Sequence, residues 1–428
     1  MMRMLARVSG TKIVAVLHGI DSTHFQNVAS ISGHERTDAM PSHNTVLNGL
    51  LKHVPMERYE ALCREHGIRS RSLTPRRHLV ALLYAQFSGA EGLRASVSGM
   101  ATHKSRLYHA GGAPVARSTL ADANAYRSAD VFGALFTEMV AKAQSGFRKK
   151  TEIEDATYLI DATSVDLNSL SAQWAEPHWS KYRAKVHVVH DADAGIPIHA
   201  VVTPSKTSDI EIARSVPIEK GATYVFDMGY CDFTWWAKLV GAGCTIVTRF
   251  KRNTKLREVE ERPLPEGSAA LSDRIGKLPA RMARSRKNPM QVPVREVRVM
   301  TETGKELRIL TNDLEATADE VGALYKRRWH IELFFRWIKQ NLRIRRFHGT
   351  SENAVRIQVA IALIAYLIIH LAHALQTAIP SPTHFIRTLR STLMQRRAAE
   401  ILTDRPPPKP DIDTLQTRLN LTHAAPYA

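Results

Sequence analysis

The chain has 428 residues, 44% hydrophobic and 23% charged, the balance of a folded protein too long for one compact core, so two or three domains are expected. A formal net charge of +18 and a pI near 9.9 point to a polyanionic partner, because neutralising phosphates releases condensed counterions. No polybasic amphipathic helix lies beside a lipidation motif, which favours nucleic acid over a membrane surface.

Residues 1–40 show no sustained periodicity, and PSHNTVLNGLLKHVP reads as a fresh start after Met40. A flexible arm and an upstream mis-start both fit that stretch. TKIVAVLHGI is short, contains His18 and lacks a small-residue cleavage site, so no signal peptide is expected. From Thr45 to about Lys149 the pattern is helical, punctuated by Gly67, Gly89 and Gly99, and predicts a helical N-terminal domain over 41–150 with DNA binding as its expected role. Within it, RSRSLTPRRH gathers Arg69, Arg71, Arg76, Arg77 and, if protonated, His78 beside a helix start. A grip on DNA phosphates and a solvated basic loop both fit it.

From Thr157 the texture changes to strands. TYLIDATSVDL, AKVHVVHD, IPIHAVVTPS, TYVFDMG and CTIVTRF are short apolar or alternating runs, with a helix, DFTWWAKLVGAG, between the last two. Three successive strands, a polar segment and then strand–helix–strand is the order at the start of a ribonuclease-H-like sheet. Lys251 to Leu310 form an insertion with 15 Lys/Arg against 8 Asp/Glu and no Phe, Trp or Tyr. Its second half, PVREVRVMTETGKELRIL, predicts a hairpin. The expected fold class is therefore α/β: a ribonuclease-H-like mixed sheet over 151–380 carrying a β-rich basic insertion at 251–310, preceded by helices. Helices resume near Ala318. The run Val359 to Leu375 approaches the length of a membrane span, but His370 and His373 lie inside it and Arg356 and Gln358 just before it, so a helix buried in a large core is expected. Residues 381–428 predict a C-terminal helix and a mobile tail containing RPPPKP. Cys63, Cys231 and Cys244 are scattered, which suggests a reducing compartment and argues against a zinc module or disulfide frame.

The run YKRRWHIELFFRWIK holds the chemistry. Tyr325, Arg328, Glu332 and Lys339 are spaced by 3, 4 and 7 residues, and at about 100° per residue they share a helix stripe about 60° wide. Leu324, Ile331, Phe335, Ile338 and Leu342 form an adjoining apolar stripe that anchors the helix to a core. A lone carboxylate among Arg328, Arg336 and Lys339 suits a metal-dependent phosphodiester site better than a solvated face. Asp161 lies within a strand, sharing a face with Leu159 and Thr163, where acidic residues are disfavoured. Asp227 ends an apolar strand just before Gly229. Each alone reads as readily as a strand-end residue. Together with Glu332 they make three convergent carboxylates, a set that suits two Mg²⁺ ions, which prefer carboxylate oxygen and complete their shells from water and phosphate.

The spaced Tyr-Arg-Glu-Lys run, with Trp329 directly after the Arg, resembles the signature of insertion-sequence-four family DDE transposases, and LIDATSVDL and FDMGY resemble the family's first two acidic sites. The acids occur in the expected order, with 65 residues between the first two and 104 between the last two, and the long second gap fits a β-rich insertion before the final Glu. The resemblance covers about residues 157–377. It implies that Asp161, Asp227 and Glu332 are catalytic metal ligands for two Mg²⁺ ions, with Mn²⁺ as a substitute. It also implies that Tyr325, Arg328 and Lys339 contact transposon-end phosphates, and Trp329 and Arg336 on the same helix are further candidates for DNA contact. Stacking on a flipped base and a half-buried packing role both fit Trp329. Some relatives hold a flipped base with an aromatic in the insertion; here Phe250, at its edge, is the nearest aromatic. The expected activity is cut-and-paste transposition on double-stranded DNA at element ends and target, in the cytoplasm, by a homodimer on DNA. A related nuclease without strand transfer and a non-cutting DNA-binding derivative are the alternatives. His187, His190 and Asp191 do not make a metal cluster, since a strand puts the two histidines on opposite faces. Lys185 and Asp209 read as surface or supporting groups, and Trp235 and Trp236 as core. No phosphate-cradling glycine loop occurs, so no nucleotide cofactor is expected.

Overall fold

Side-chain caps start six of the described helices of the computed structural model where the sequence places Ser, Thr or Asp before the helix. Thr45 accepts from the Asn48 amide and Thr74 from the Arg77 amide. Ser351 accepts from the Ala354 amide, and Thr317 forms a full capping box with Glu320. The structure describes residues 45–395, apart from 71, 152–155, 172–173, 176, 179–180, 252, 282–285, 302, 343, 345–346 and 377. The expectations for residues 1–40, for Arg71 and for the tail beyond 395 lie outside the described residues.

The helical part runs α1 (Val46–Leu51), α2 (Met56–Glu65), α3 (Pro75–Ser88), α4 (Leu93–Thr102), α5 (Lys104–Leu107), α6 (Arg117–Tyr126) and α7 (Asp130–Thr151). Then come β1 (Thr157–Leu167), β2 (Pro177–His178), β3 (Lys181–Asp191), β4 (Ile196–Pro204), α8 (Asp209–Ala213), β5 (Thr223–Phe226), α9 (Phe233–Gly241) and β6 (Thr245–Arg249). The insertion supplies β7 (Arg257–Glu261), β8 (Ala270–Lys277), β9 (Val294–Met300) and β10 (Glu306–Thr311). The chain continues through α10 (Ala318–Arg327), α11 (Trp329–Asn341), α12 (Glu352–Ala374) and α13 (Pro382–Thr392).

The strand order β4-β3-β1-β5-β6 has an antiparallel β4-β3-β1 meander with β5 and β6 parallel to β1. This is the ribonuclease-H-like arrangement. The expected hairpin is β9–β10. The insertion does not stand apart from the sheet: β10 pairs with β6 from Ile309↔Arg249 to Thr311↔Val247, and β9, β8 and β7 follow outward. Between β8 and β9, Arg295 is buried with its guanidinium on both carboxylate oxygens of Asp273, at 2.8 Å each, and it also donates to the Ala316 carbonyl just before α10.

Alternation along the strands fills both faces. Tyr158, Ile160, Tyr224, Phe226 and Ile246 meet Trp235, Trp236 and Leu239 of α9, as their sequence context predicts. Leu159, Val186, Val188, Val225 and Val247 belong to the opposite core, which continues without a break into α1–α7. At its centre is α12, the one described helix long and apolar enough to cross a membrane, with 78% of its apolar window buried in the fold. It packs on α3, α6, α7, α13 and β4, and the Tyr366 hydroxyl donates to the Gly195 carbonyl at 3.0 Å.

One expected cation changes character. His78 is fully buried, bonded through Nε2 to Asn124, and burial pushes its pKa down to about 4. It is a neutral core group and adds nothing to the basic stretch, where Arg69 and Arg77 are exposed and Arg76 pairs with Glu60 at 2.8 Å.

Removing Asp273 strands a buried guanidinium. Asp273→Ala is expected to lower the unfolding free energy by about 3–5 kcal/mol, measured as a lower urea midpoint with an unchanged slope.

Candidate active site

β1 and β5 pair in parallel with Ile160 opposite Phe226, and the next residues are Asp161 and Asp227. Pairing alone therefore brings two acids to one edge of the sheet. Asp161 Oδ1 accepts the Ala162 amide at 2.8 Å. Asp227 closes a turn over Met228–Tyr230: its Oδ1 accepts the Gly229 amide at 2.7 Å, and its carbonyl accepts the Thr248 hydroxyl at 3.2 Å. A Cβ at 229 would lie 2.8 Å from Asp227 Oδ1, so a larger residue there would push the carboxylate aside.

The third acid comes from α11, which packs on β1. The helix expected across 325–339 is interrupted at Arg328, where α10 hands over to α11 through tight turns: the Arg328 amide bonds to the Tyr325 carbonyl at 3.1 Å, and the Ile331 amide to Arg328 O at 3.3 Å. Arg328 keeps helical dihedrals, φ −51 and ψ −29, so the polar stripe survives the break. Ile331, Phe335, Ile338 and Leu342 are buried on the anchoring stripe, and Leu324 is half-buried.

The stripe faces β1 point for point. Arg328 donates to Glu332 Oε1 at 2.5 Å and lies 3.7 Å from Asp161 Oδ2. Lys339 donates to the Thr163 hydroxyl at 2.5 Å, on the strand face that Asp161 shares. Tyr325 is buried, with Arg328 5.9 Å above its ring. Trp329 is 47% exposed, and the exposed Arg336 stands 6.0 Å from its ring. Phe250, the nearest aromatic to the insertion, is buried beneath Arg308.

Burial raises the Asp161 pKa to about 6, helped by the charges of Asp227 and Glu332 and opposed by the Ala162 amide and Arg328. Asp161 thus feels the charge of both other acids, with Arg328 the cation between it and Glu332. Among the described residues, no three His, Cys, Asp or Glu side chains stand close enough to hold a metal as arranged. The donor set is nevertheless hard oxygen, the kind that divalent cations of the magnesium type select.

His187 and His190 point to opposite sides of β3, as expected. His190 lies against Phe334 on the α11 side, and His187 bonds Thr203 at 2.9 Å on the other. Lys185 and Asp209 are paired at 2.9 Å. Two residues escaped the sequence reading. Thr163 receives Lys339, and Tyr230, quoted only as part of FDMGY, places a buried hydroxyl behind the acids. The signal for Tyr230 was a phenol three residues after a strand-end Asp in an apolar turn.

The family described as transposase DDE domain matches residues 152–368. A putative transposase of Sinorhizobium fredii is 36% identical over 289 residues, 68% of this chain and 80% of that relative. The chain belongs to the DDE transposase family. The probable transposase for insertion sequence element IS5377 of Geobacillus stearothermophilus is 26% identical over 56% of this chain and 63% of its own length. The putative transposase for element IS4SA of Synechocystis is 26% identical over 55% and 67%. These relatives make it a transposase of the insertion-sequence-four kind, an enzyme of DNA cleavage and strand transfer that depends on a divalent metal. A piggyBac transposase synaptic complex with hairpin DNA aligns over 91% of this chain and 88% of its own at 12% identity and a TM-score of 0.39, too distant to bear on the fold. Residues 42–113 match a domain family of unknown function.

The raised Asp161 pKa has a definite sign. In metal-free protein the folded carboxyl binds its proton more tightly than the unfolded one, whose pKa is near 3.8, so stability falls as pH rises from about 4 through about 6. Asp161→Asn is expected to raise metal-free stability at pH 7.5 by on the order of 1–2 kcal/mol. That gain should vanish below pH 4, read from urea unfolding at both pH values in EDTA.

Proposed function

We propose that Asp161, Asp227 and Glu332 are the catalytic carboxylates of this transposase and hold two Mg²⁺ ions, with Mn²⁺ able to substitute. The observation that carries the reading is Arg328, set between Asp161 and Glu332 at 3.7 and 2.5 Å. Two half-buried carboxylates have a cation between them, supplied by the helical run that bears the third acid. When bound, the ions supply Lewis-acid activation of the attacking oxygen and neutralise charge on the leaving oxygen.

The chain's own groups do the rest. Arg328 is placed to leave Glu332 for a phosphate of the element end, where its planar fork makes two parallel bonds. Lys339, steered by Thr163, offers a point charge along the same strand. Tyr325 lies beneath Arg328 and limits its swing, and its contact with DNA passes through that residue. Trp329 and Arg336 form the exposed aromatic–cation pair of the site, suited to stacking and to a phosphate respectively. Water cleaves the phosphodiester at each element end, and the freed 3′-hydroxyl attacks target DNA in a second in-line displacement at the same site. A homodimer pairs the two ends, in the cytoplasm. The helices of 41–150 are the DNA-gripping part, 151–380 the catalytic part with its insertion at 251–310, and 381–428 a C-terminal extension. Buried Phe250 offers no exposed ring for a flipped base.

Purified protein with Mg²⁺ and a DNA fragment bearing the element ends is expected to cut at the ends, and EDTA to stop it. Glu332→Gln is expected to reduce cleavage by at least ~1,000-fold, a loss of about 4 kcal/mol of transition-state stabilisation, while end binding in a gel-shift assay persists. Full cleavage by that variant sinks the assignment. Arg328→Gln is expected to weaken end binding and lower its salt dependence by about one phosphate's worth.

A further inference from the structure

Behind the acids, on the opposite side of the sheet, lies a second polar cluster. Ala162 pairs with His187 and Ser164 with Lys185 across β1 and β3, so Lys185 and His187 share the face that Asp161 does not use. Lys185 donates to Asp209 Oδ1 at 2.9 Å and to the Thr207 carbonyl at 3.0 Å. Asp209 Oδ1 also lies 3.6 Å from His187 Nδ1. The Thr203 hydroxyl donates to the Pro204 carbonyl at 3.2 Å, so it accepts the Nε2 proton of His187 at 2.9 Å. His187 is then left with a bare Nδ1, which has no hydrogen-bond partner. Two acceptors, Nδ1 and the Asp209 carboxylate, therefore face one another and lack a shared donor.

Tyr230 faces the same space. It is 2% exposed, its hydroxyl has no hydrogen-bond partner among the described residues, and it lines a cavity of about 10 Å³ with Ile160, His187, Asp209 and Ile212. A space that size admits a single water, which is enough to carry the phenol's hydrogen to the Asp209 carboxylate that lines the same space. The negative charges of Asp161, Asp209 and Asp227 all act on this hydroxyl. The backbone of Tyr230 belongs to the turn that presents Asp227: its amide bonds to the Asp227 carbonyl at 3.3 Å, and its carbonyl accepts the Trp236 indole at 3.1 Å. The ring packs on Phe226 with 6.1 Å between centroids, and a phenylalanine would pack there equally well. Packing does not require the hydroxyl.

We propose that Tyr230 is a positioning residue for Asp227, its phenol O–H linked through one water to the Asp209 carboxylate that Lys185 holds, so that the turn bearing the second acid is anchored to β3. The anchor fixes where Asp227 points relative to Asp161. It acts on the metal carboxylates from the protein side and touches neither DNA nor the reacting phosphate. The inference rests on the assignment of Asp161, Asp227 and Glu332 as metal ligands.

Mn²⁺ binding by the full-length protein without DNA, followed by electron paramagnetic resonance, separates the two. Wild type is expected to bind Mn²⁺, and Asp227→Asn to lose most of it. If wild type binds none, the ligand assignment itself fails. Tyr230→Phe is expected to weaken Mn²⁺ affinity about 10-fold while its thermal midpoint stays at or above that of wild type. Asp209→Asn is expected to do the same, and the double variant to be no worse than either single, as for two members of one link. Wild-type Mn²⁺ affinity in Tyr230→Phe overturns the proposal, and so does additive loss in the double variant. A lowered midpoint with unchanged affinity means a purely structural role and overturns it too.

Discussion

The Arg328 guanidinium, held between Asp161 of the first strand and Glu332 one helical turn further on, is the contact around which the rest of the molecule is arranged. Like charges gathered in a partly buried space repel unless something positive is near. Here the positive group comes from the same helical run that brings the third acid, so acid and counter-charge arrive together. The hand-over from α10 to α11 falls at this residue, which puts its side chain over Tyr325 on one side and Glu332 on the other. Everything else in the site follows from holding that run against β1: the apolar stripe sinks into the core, and Lys339 reaches Thr163.

The central strands were legible because their alternation is strong and their partners are near in sequence. TYLIDATSVDL is β1 from end to end, and an acid in such a run stands out against its neighbours. The buried helix α12 was legible for a similar reason, since histidines inside an apolar stretch belong in a protein core. The polar stripe of 325–339 could be drawn from spacing alone. Its internal pairing could not, because spacing shows which groups share a face and not which of them bond. The opposite outcome holds for Tyr325 and His78, which polar chemistry marks as surface candidates and tertiary packing buries. Nor does local sequence show that β10 pairs with β6, since the strands are separated by the whole insertion and their register depends on partners far along the chain.

The insertion illustrates how such a sheet is enlarged without disturbing its chemistry. Strands are added on the side of β6 away from β1, so the acids stay where the first five strands put them. The added part needs its own internal tie. Arg295 and Asp273 provide it, and Arg295 also reaches the carbonyl of Ala316, which leads into α10. The long gap between the second and third acids is therefore closed by a buried charge pair at its far end.

The apolar core that runs from α1–α7 through α12 to the catalytic sheet has a geometrical consequence. Among the described residues, helices and sheet share one apolar interior. On the proposed reading, in which the helices grip DNA, a duplex held there is presented to Asp161 at one fixed span, so the body works as a calliper. The distance between grip and cut is then a property of the folded core and not of a tether. A binding sequence moved by a few base pairs relative to the element end would meet the acids at the wrong phosphate.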